Sequence, residues 1–267
     1  MADVERPVLD DGDRHHLARV LRLRRGERVS VSDGAGTWLL CRFDGEGGVD
    51  RLGEPESWPP SRPAITVGFA PPKGERADWA VQKLTELGVD RIIPLRTRRS
   101  VVRWEAQRSE RQLARWRAIC RQAAMQSRRL WLPVVDAPCP PAQAGGAPVG
   151  GAPVCSGGGP FPVGPVALAE PGGAPPSLSW PTVLIGPEGG WSEDELALGM
   201  PTIALGPGVL RTETAAVAAG AVLAALRAGL VSEHVAGAGP PLPSGVGVAA
   251  TGAAVPPAAA VDRSGGA

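Results

Sequence analysis

Tyrosine and asparagine are missing from the 267 residues, and lysine occurs only as Lys73 and Lys83. Basic charge therefore rests on 26 arginines, in a composition biased toward Ala, Gly, Pro and Arg. A single arginine taken alone says little about function. The four cysteines, Cys41, Cys120, Cys139 and Cys155, form no C-x-x-C pair, which argues against a zinc site and against a disulfide framework. No apolar run approaches the ~18 residues needed to cross a bilayer, and the opening MADVERPVLDDGD lacks the apolar stretch of a signal peptide. A reduced, cytoplasmic protein with neither membrane nor metal is expected. G-x-x-x-x-G-K-[ST] and G-x-G-x-x-G are both absent, so the usual phosphate cradles are excluded.

Glycine and proline are abundant but unevenly spread. Of 36 Gly and 29 Pro, residues 138–181 hold 22 and residues 237–267 hold 12. The rest of the chain has ordinary globular usage, and is long enough for one or two domains with a core. A flexible insertion at about 138–165 and a flexible tail at 233–267 are expected.

Residues 1–60 read as a small β-rich unit. His15 to Leu23 suggests a short helix, and Val29–Gly34 and Thr37–Phe43 suggest strands split by the hairpin signal Asp33-Gly34-Ala35-Gly36. The His15-His16 pair has no third ligand nearby, so surface or RNA-backbone contact is favoured over metal. Pro59 to Pro63 reads as a linker. Beyond it, Ile65–Phe69, a helix over Ala77–Leu87 closed by Gly88, and Ile92–Leu95 form a strand–helix–strand unit. A longer helix follows over Glu105–Gln126. Val166–Ala169, Thr182–Ile185 and Ile203–Leu205 are further strands, and Thr214–Leu226 is a final helix. Such alternation predicts an α/β architecture over residues 64–232.

Net charge is only +1, yet residues 91–131 hold 12 arginines against Glu105 and Glu110. Clustered arginine suits a polyanion, because phosphate neutralisation supplies sequence-independent affinity; a solvated helix face would look the same. Trp104, Trp116 and Trp131 lie among these arginines, and at least two are expected in the core. Three strands in the second half run into loops rich in Gly and Pro: Ala169-Glu170-Pro171-Gly172, Gly186-Pro187-Glu188-Gly189-Gly190, and Gly206-Pro207-Gly208 leading to Arg211-Thr212-Glu213-Thr214. Ligands bind outside the carboxyl ends of strands in open α/β sheets, so the three loops together predict one pocket. Ser192 to Glu195 is a capping box starting a helix.

Ile185-Gly186-Pro187-Glu188-Gly189-Gly190, Leu205-Gly206-Pro207 and Leu210-Arg211-Thr212-Glu213-Thr214-Ala215 resemble the signature of the SPOUT RNA methyltransferases. Lys73-Gly74-Glu75-Arg76, Glu86-Leu87-Gly88-Val89 and Gln126-Ser127 narrow the resemblance to the ribosomal small-subunit methyltransferase E family. The resemblance implies a PUA-like N-terminal β-barrel at 1–60 and a C-terminal α/β domain at 64–232 with a deep trefoil knot. It also implies a cytoplasmic homodimer that uses S-adenosyl-L-methionine to methylate N3 of a decoding-region uridine in 16S rRNA, on the small ribosomal subunit. Carried over, Leu168, Gly186, Gly189, Leu205, Gly206, Val209 and Leu210 would touch the cofactor. Arg211 and Glu188 would be catalytic, Arg211 stabilising charge on the uracil and Glu188 or Glu213 accepting a proton. Arg211 in a structural ion pair with Glu188 or Glu213 is the competing reading. RNA contacts would fall to Arg19, Arg22, Lys73, Arg98, Arg99 and Arg128. Met125 stands where the family commonly has Glu, and Gly208 where it often has Arg. A SPOUT enzyme for another site, such as a tRNA ribose, and a non-catalytic RNA-binding assembly factor are the alternatives.

Overall fold

A computed structural model of the chain describes residues 7–102, 104–145 and 159–233. The core of the expected insertion (146–158), the tail from residue 234, Arg103 and Cys155 lie outside the described residues.

The chain opens with α1 (Asp11–His15), which continues as a π-helical turn over His16–Val20. This segment starts earlier than the apolar spacing predicts. The Asp10 side chain caps it by accepting from the Asp13 backbone N–H at 2.8 Å, and Asp10 and Asp13 both pair with Arg121. Strands β1 (Arg28–Ser32), β2 (Thr37–Phe43), β3 (Val49–Arg51) and β4 (Glu56–Ser57) form an antiparallel sheet around β2. Leu17, Val31, Leu39, Cys41 and Phe43 make its core. The predicted hairpin is present: Asp33 Oδ1 accepts from the N–H groups of Ala35 and Thr37 at 2.7 and 3.0 Å. Gly36 is required there, since a Cβ would sit 2.4 Å from the Trp131 ring. The hairpin tip also hydrogen-bonds to the segment after the third helix, through Gly36 N–H to Leu130 O and Leu132 N–H to Gly34 O. β3 and β4 escaped prediction because two or three largely exposed residues leave no periodicity to read.

The second half contains β5 (Thr66–Phe69), α2 (Arg76–Glu86), β6 (Arg91–Pro94), α3 (Ala106–Ser127), β7 (Val134–Val135), β8 (Val166–Ala174), β9 (Thr182–Ile185), α4 (Glu193–Leu196), β10 (Thr202–Ile203) and α5 (Thr212–Arg227). The six strands pair in parallel, in the order β10-β8-β9-β5-β6-β7. Alternate residues face opposite layers, as the two-residue strand period requires. Val67, Ile92, Ala167 and Val183 pack under α2, α3 and α5, with Leu84, Trp116 and Leu223. Ile93, Leu168 and Leu184 face the other side, against Leu95, Cys139 and Trp191. Each fully buried large apolar side chain contributes about 1.5–3 kcal/mol, so this two-sided sheet is the main source of stability. Trp116 is in the core, while Trp104 packs partly buried against it and Trp131 meets Phe161 edge-on.

The flanks of the Gly/Pro-rich segment belong to the fold. Cys139 bridges to Leu95, and Phe161 is fully buried with its carbonyl accepting from Arg91 Nε at 3.1 Å. A few apolar anchors suffice to hold such a segment in place despite its composition.

Polar groups close the amino ends of the strands. Asp90, 2 % exposed, accepts from the Ile65 backbone N–H at 2.9 Å, from Arg129 at 3.2 Å and from Arg227. The two arginines also cap carbonyls at the ends of α2 and its neighbours, Arg129 on Thr85 and Val89, Arg227 on Gly88 and Pro63. Beside them Arg91 donates to both oxygens of Asp136 at 2.7 and 2.8 Å.

Candidate functional site

The opposite, carboxyl ends of β8, β9 and β10 form the predicted pocket, about 420 Å³ in volume. The order of strands explains its place. The chain runs outward from β5 to β6 and β7, then returns on the other side through β8, β9 and β10. The sheet's direction of growth therefore switches beside β5, where crevices for ligands form. β8 carries a bulge: Thr202 pairs with Leu168, while the next residue, Ile203, pairs with Ala174. The five residues between, Ala169 to Gly173, swing out as the first loop.

Side chains tie the loops together. Trp191 Nε1 donates to Ala169 O at 3.0 Å, linking the loops of β9 and β8. Thr212 Oγ1 donates to Gly186 O at 3.0 Å, linking α5 to the β9 loop. The capping box is complete at Ser192 and Glu195, and Glu195 Oε1 also accepts from the Arg98 backbone N–H at 2.9 Å. Arg99 Nη1 donates to Gly189 O at 2.7 Å. Gly206, at φ 144°, adopts a backbone that side-chain-bearing residues avoid.

Gly186, Leu205, Gly206, Val209 and Leu210 line the pocket, as do Glu188 and Arg211. Leu168 is fully buried just before the first loop, and Gly189 lies against Arg99 outside the lining. Val209 is 90 % exposed and Leu210 37 %, so apolar surface at the rim is left without a protein partner. Arg211, exposed at the start of α5, forms no ion pair among the described residues. Glu213 instead sits 3.5 Å from Arg76, outside the pocket lining, and its buried Oε2 has no partner among the described residues. Thr212 and Trp191 were not singled out by sequence reasoning. The Thr after Arg211 was the available signal, since a hydroxyl in a first helical turn can reach a neighbouring carbonyl.

Two independent regions match known RNA methyltransferases. An RNA methyltransferase domain family covers residues 59–144 and 177–224, and an RNA methyltransferase PUA domain covers residues 9–48. The ribosomal RNA small subunit methyltransferase E of Mycobacterium bovis is 38% identical over 232 residues, 80% of this chain and 85% of the relative. The chain belongs to the ribosomal RNA small subunit methyltransferase E family. The member from Synechocystis is 34% identical over 79% of this chain and 70% of its own length. A crystal structure of the Neisseria gonorrhoeae member bound to S-adenosyl methionine has a TM-score of 0.65 and 29% identity, covering 82% of this chain and 90% of that one.

Against this family background, the structure sorts the arginines that sequence counted as one patch. Arg91, Arg98, Arg115, Arg121 and Arg129 are paired with Asp136, Asp194, Asp78, Asp10 with Asp13, and Asp90. Arg96, Arg99, Arg108, Arg111, Arg117 and Arg128 form no ion pair among the described residues. The expected RNA contacts divide accordingly. Lys73, Arg99, Arg19 and Arg22 are exposed and form no ion pair among the described residues, although Arg99 donates to Gly189 O; Arg128 forms the left-handed cap of α3, and Arg98 is held by Asp194 at 2.8 Å. His15 is exposed, and no group of three metal-ligating side chains occurs among the described residues. No helix among them is long and apolar enough to cross a membrane. Burial pushes the Cys41 and Cys120 thiols above their usual pKa, which disfavours the reactive thiolate.

Proposed function

We propose that this chain transfers a methyl group from S-adenosyl-L-methionine to N3 of a decoding-region uridine in 16S rRNA, acting on the small ribosomal subunit as a homodimer in the cytoplasm. The observation that carries this reading is the three-loop pocket with unpaired Arg211 at its rim. Within the reading, residues 1–60 are a PUA-like RNA-binding barrel and residues 64–232 a SPOUT domain whose chain forms a deep trefoil knot.

The lining suits such a cofactor. Gly186 and Gly206 leave backbone rather than side chain in the lining, while Ile185, Leu205 and Leu210 offer apolar walls; few polar groups in a mostly apolar cleft is the usual composition of a cofactor site. Gly189 and Val209 would complete the contacts, and Leu168 would hold the first loop from behind. The bound cofactor supplies a methyl group on a positively charged sulfur, already activated for transfer.

The protein must then position the uracil and stabilise its charge. Uridine N3 carries a proton at neutral pH, so the reaction needs either its removal or stabilisation of the uracil anion. In this reading Arg211 holds the developing charge on a uracil carbonyl, an electrostatic role that requires no movement during reaction. Glu188, exposed on the neighbouring loop, is within the same pocket lining and is assigned as proton acceptor. Glu213 is not needed for that role, since it faces Arg76. Arg19, Arg22, Lys73, Arg99 and Arg128 contact RNA, with Arg98 joining them on release from Asp194.

Methylation of purified small subunits lacking the mark, followed by mass mapping of the product, tests the reading. A methyl on N3 of one decoding-region uridine is expected; a methylated ribose or a different RNA would select the other SPOUT activity. Calorimetric titration with S-adenosyl-L-methionine tests the second alternative, which Gly208 and Met125 motivate. Absence of cofactor binding would leave a non-catalytic assembly factor.

A further inference from the structure

A second cavity, about 450 Å³, opens between the β5–α2 loop and the β6–α3 loop, with Lys73, Val102, Trp104, Glu105, Arg108 and Gln112 in its wall. It lies at the same carboxyl edge of the sheet as the first pocket, but belongs to β5 and β6, whereas the three loops follow β8, β9 and β10. Its volume is within the range of ligand pockets, about 300–1,000 Å³.

Three features of the wall bear on what it holds. Lys73 and Arg108 are exposed cations that form no ion pair among the described residues, although α3 pairs Arg115 and Arg121 with carboxylates. The two indoles differ. Trp116 Nε1 donates to Asp78 Oδ1 at 2.8 Å, whereas the buried Trp104 Nε1 has no acceptor among the described residues. Buried donors are rarely left so. Finally, Arg99, on the loop that leads to Trp104, donates to Gly189 O, so the loop bearing this cavity also touches the loop bearing the cofactor pocket.

We propose that this cavity binds a nucleotide of the RNA strand flanking the methylated base. Lys73 and Arg108 take its phosphate, and Trp104 offers a ring for its base, since aromatic stacking accepts any base. The strand thus crosses the sheet edge with the target at Arg211 and a neighbour held at Trp104. Glu105 opposes the phosphate and limits the affinity. The identity of the strand as methylation substrate rests on the function proposed above; the cavity's affinity for RNA does not.

The test measures binding of the full-length protein to purified small ribosomal subunits lacking the mark, without cofactor, at several salt concentrations. Lys73→Ala and Arg108→Ala should each weaken binding about 5- to 10-fold. Together they should lower the slope of log affinity against log salt by about 0.7, the contribution of one single-strand phosphate contact. Glu105→Gln should tighten binding about twofold, which a role confined to folding would not produce. S-adenosyl-L-methionine affinity, read by calorimetry, should stay within twofold in all variants. A double variant that binds subunits as tightly as wild type, with the same salt slope, overturns the proposal while leaving the methyltransferase reading intact. Conversely, wild-type protein that neither binds cofactor nor methylates, but loses RNA affinity in the double variant, overturns the enzyme reading and keeps the cavity.

Discussion

The two edges of the parallel sheet are built on opposite rules. At the amino edge, Asp90 gathers a backbone N–H and two guanidinium groups that are themselves about seven-eighths buried. Burial pulls the Arg129 guanidinium below its usual pKa, with Asp90 opposing that shift. At the carboxyl edge, Arg211 is unpaired, Val209 is exposed and the loops are held by single hydrogen bonds. Charge at the amino edge is consumed by the fold; at the carboxyl edge Arg98 and Arg76 meet Asp194 and Glu213, while Arg211 forms no ion pair among the described residues. The number of arginines in a region therefore says less than whether each has found a carboxylate.

Substitutions at the two edges should separate stability from activity. The largest effect is expected for Asp90→Ala, which strands two buried cations. Removing one partner of a buried pair costs about 3–5 kcal/mol, so the urea midpoint should fall sharply while residual folded protein keeps its cofactor affinity. A midpoint unchanged from wild type would mean that the amino edge is not the stabilising one. Next is Arg211→Ala. Loss of a charge-stabilising donor lowers turnover about 10²- to 10³-fold, whereas an exposed side chain alters stability by no more than about 0.5 kcal/mol. Wild-type methylation at saturating cofactor would remove Arg211 from the mechanism.

Matched glycines give a finer comparison. Gly88 at the amino edge (φ 91°) and Gly206 at the carboxyl edge (φ 144°) both adopt glycine-favoured backbone. Alanine at either should cost about 1–3 kcal/mol of stability, but only Gly206→Ala should also weaken S-adenosyl-L-methionine binding; equal cofactor affinities would blur the distinction between edges. The smallest effect is expected for Thr212→Val, which removes the hydroxyl bond to Gly186 O. About 1 kcal/mol is expected from one such bond, read as a lower melting temperature and roughly fivefold weaker cofactor binding. A melting shift without any change in cofactor affinity would confine Thr212 to the fold.

Much of the α/β half was legible before any coordinates. Apolar runs such as Ile65–Phe69 and Thr182–Ile185 are buried on both faces, and buried parallel strands have that appearance. Ser192 and Glu195 form their capping box because its hydrogen bonds span only three residues. The N-terminal helix was misplaced because Asp10, not the apolar spacing, sets its start. β7 was missed because two residues carry too little pattern. The three loops and Arg211's place in the pocket lining were legible, while the Trp191 bond to Ala169 was not, since a 22-residue separation across a sheet leaves no local trace.

By itself, then, the amino-acid sequence determined the longer strands, the principal helices and the Gly/Pro loops, because hydrophobic period, caps and turn chemistry act over a few residues. Only the tertiary structure decided which charges remain available. Arg98 meets Asp194 from 96 residues away, Arg121 meets Asp13 from 108, and Arg227 meets Asp90 from 137. An ion pair depends on distance in space and on burial, and neither quantity is written in local spacing.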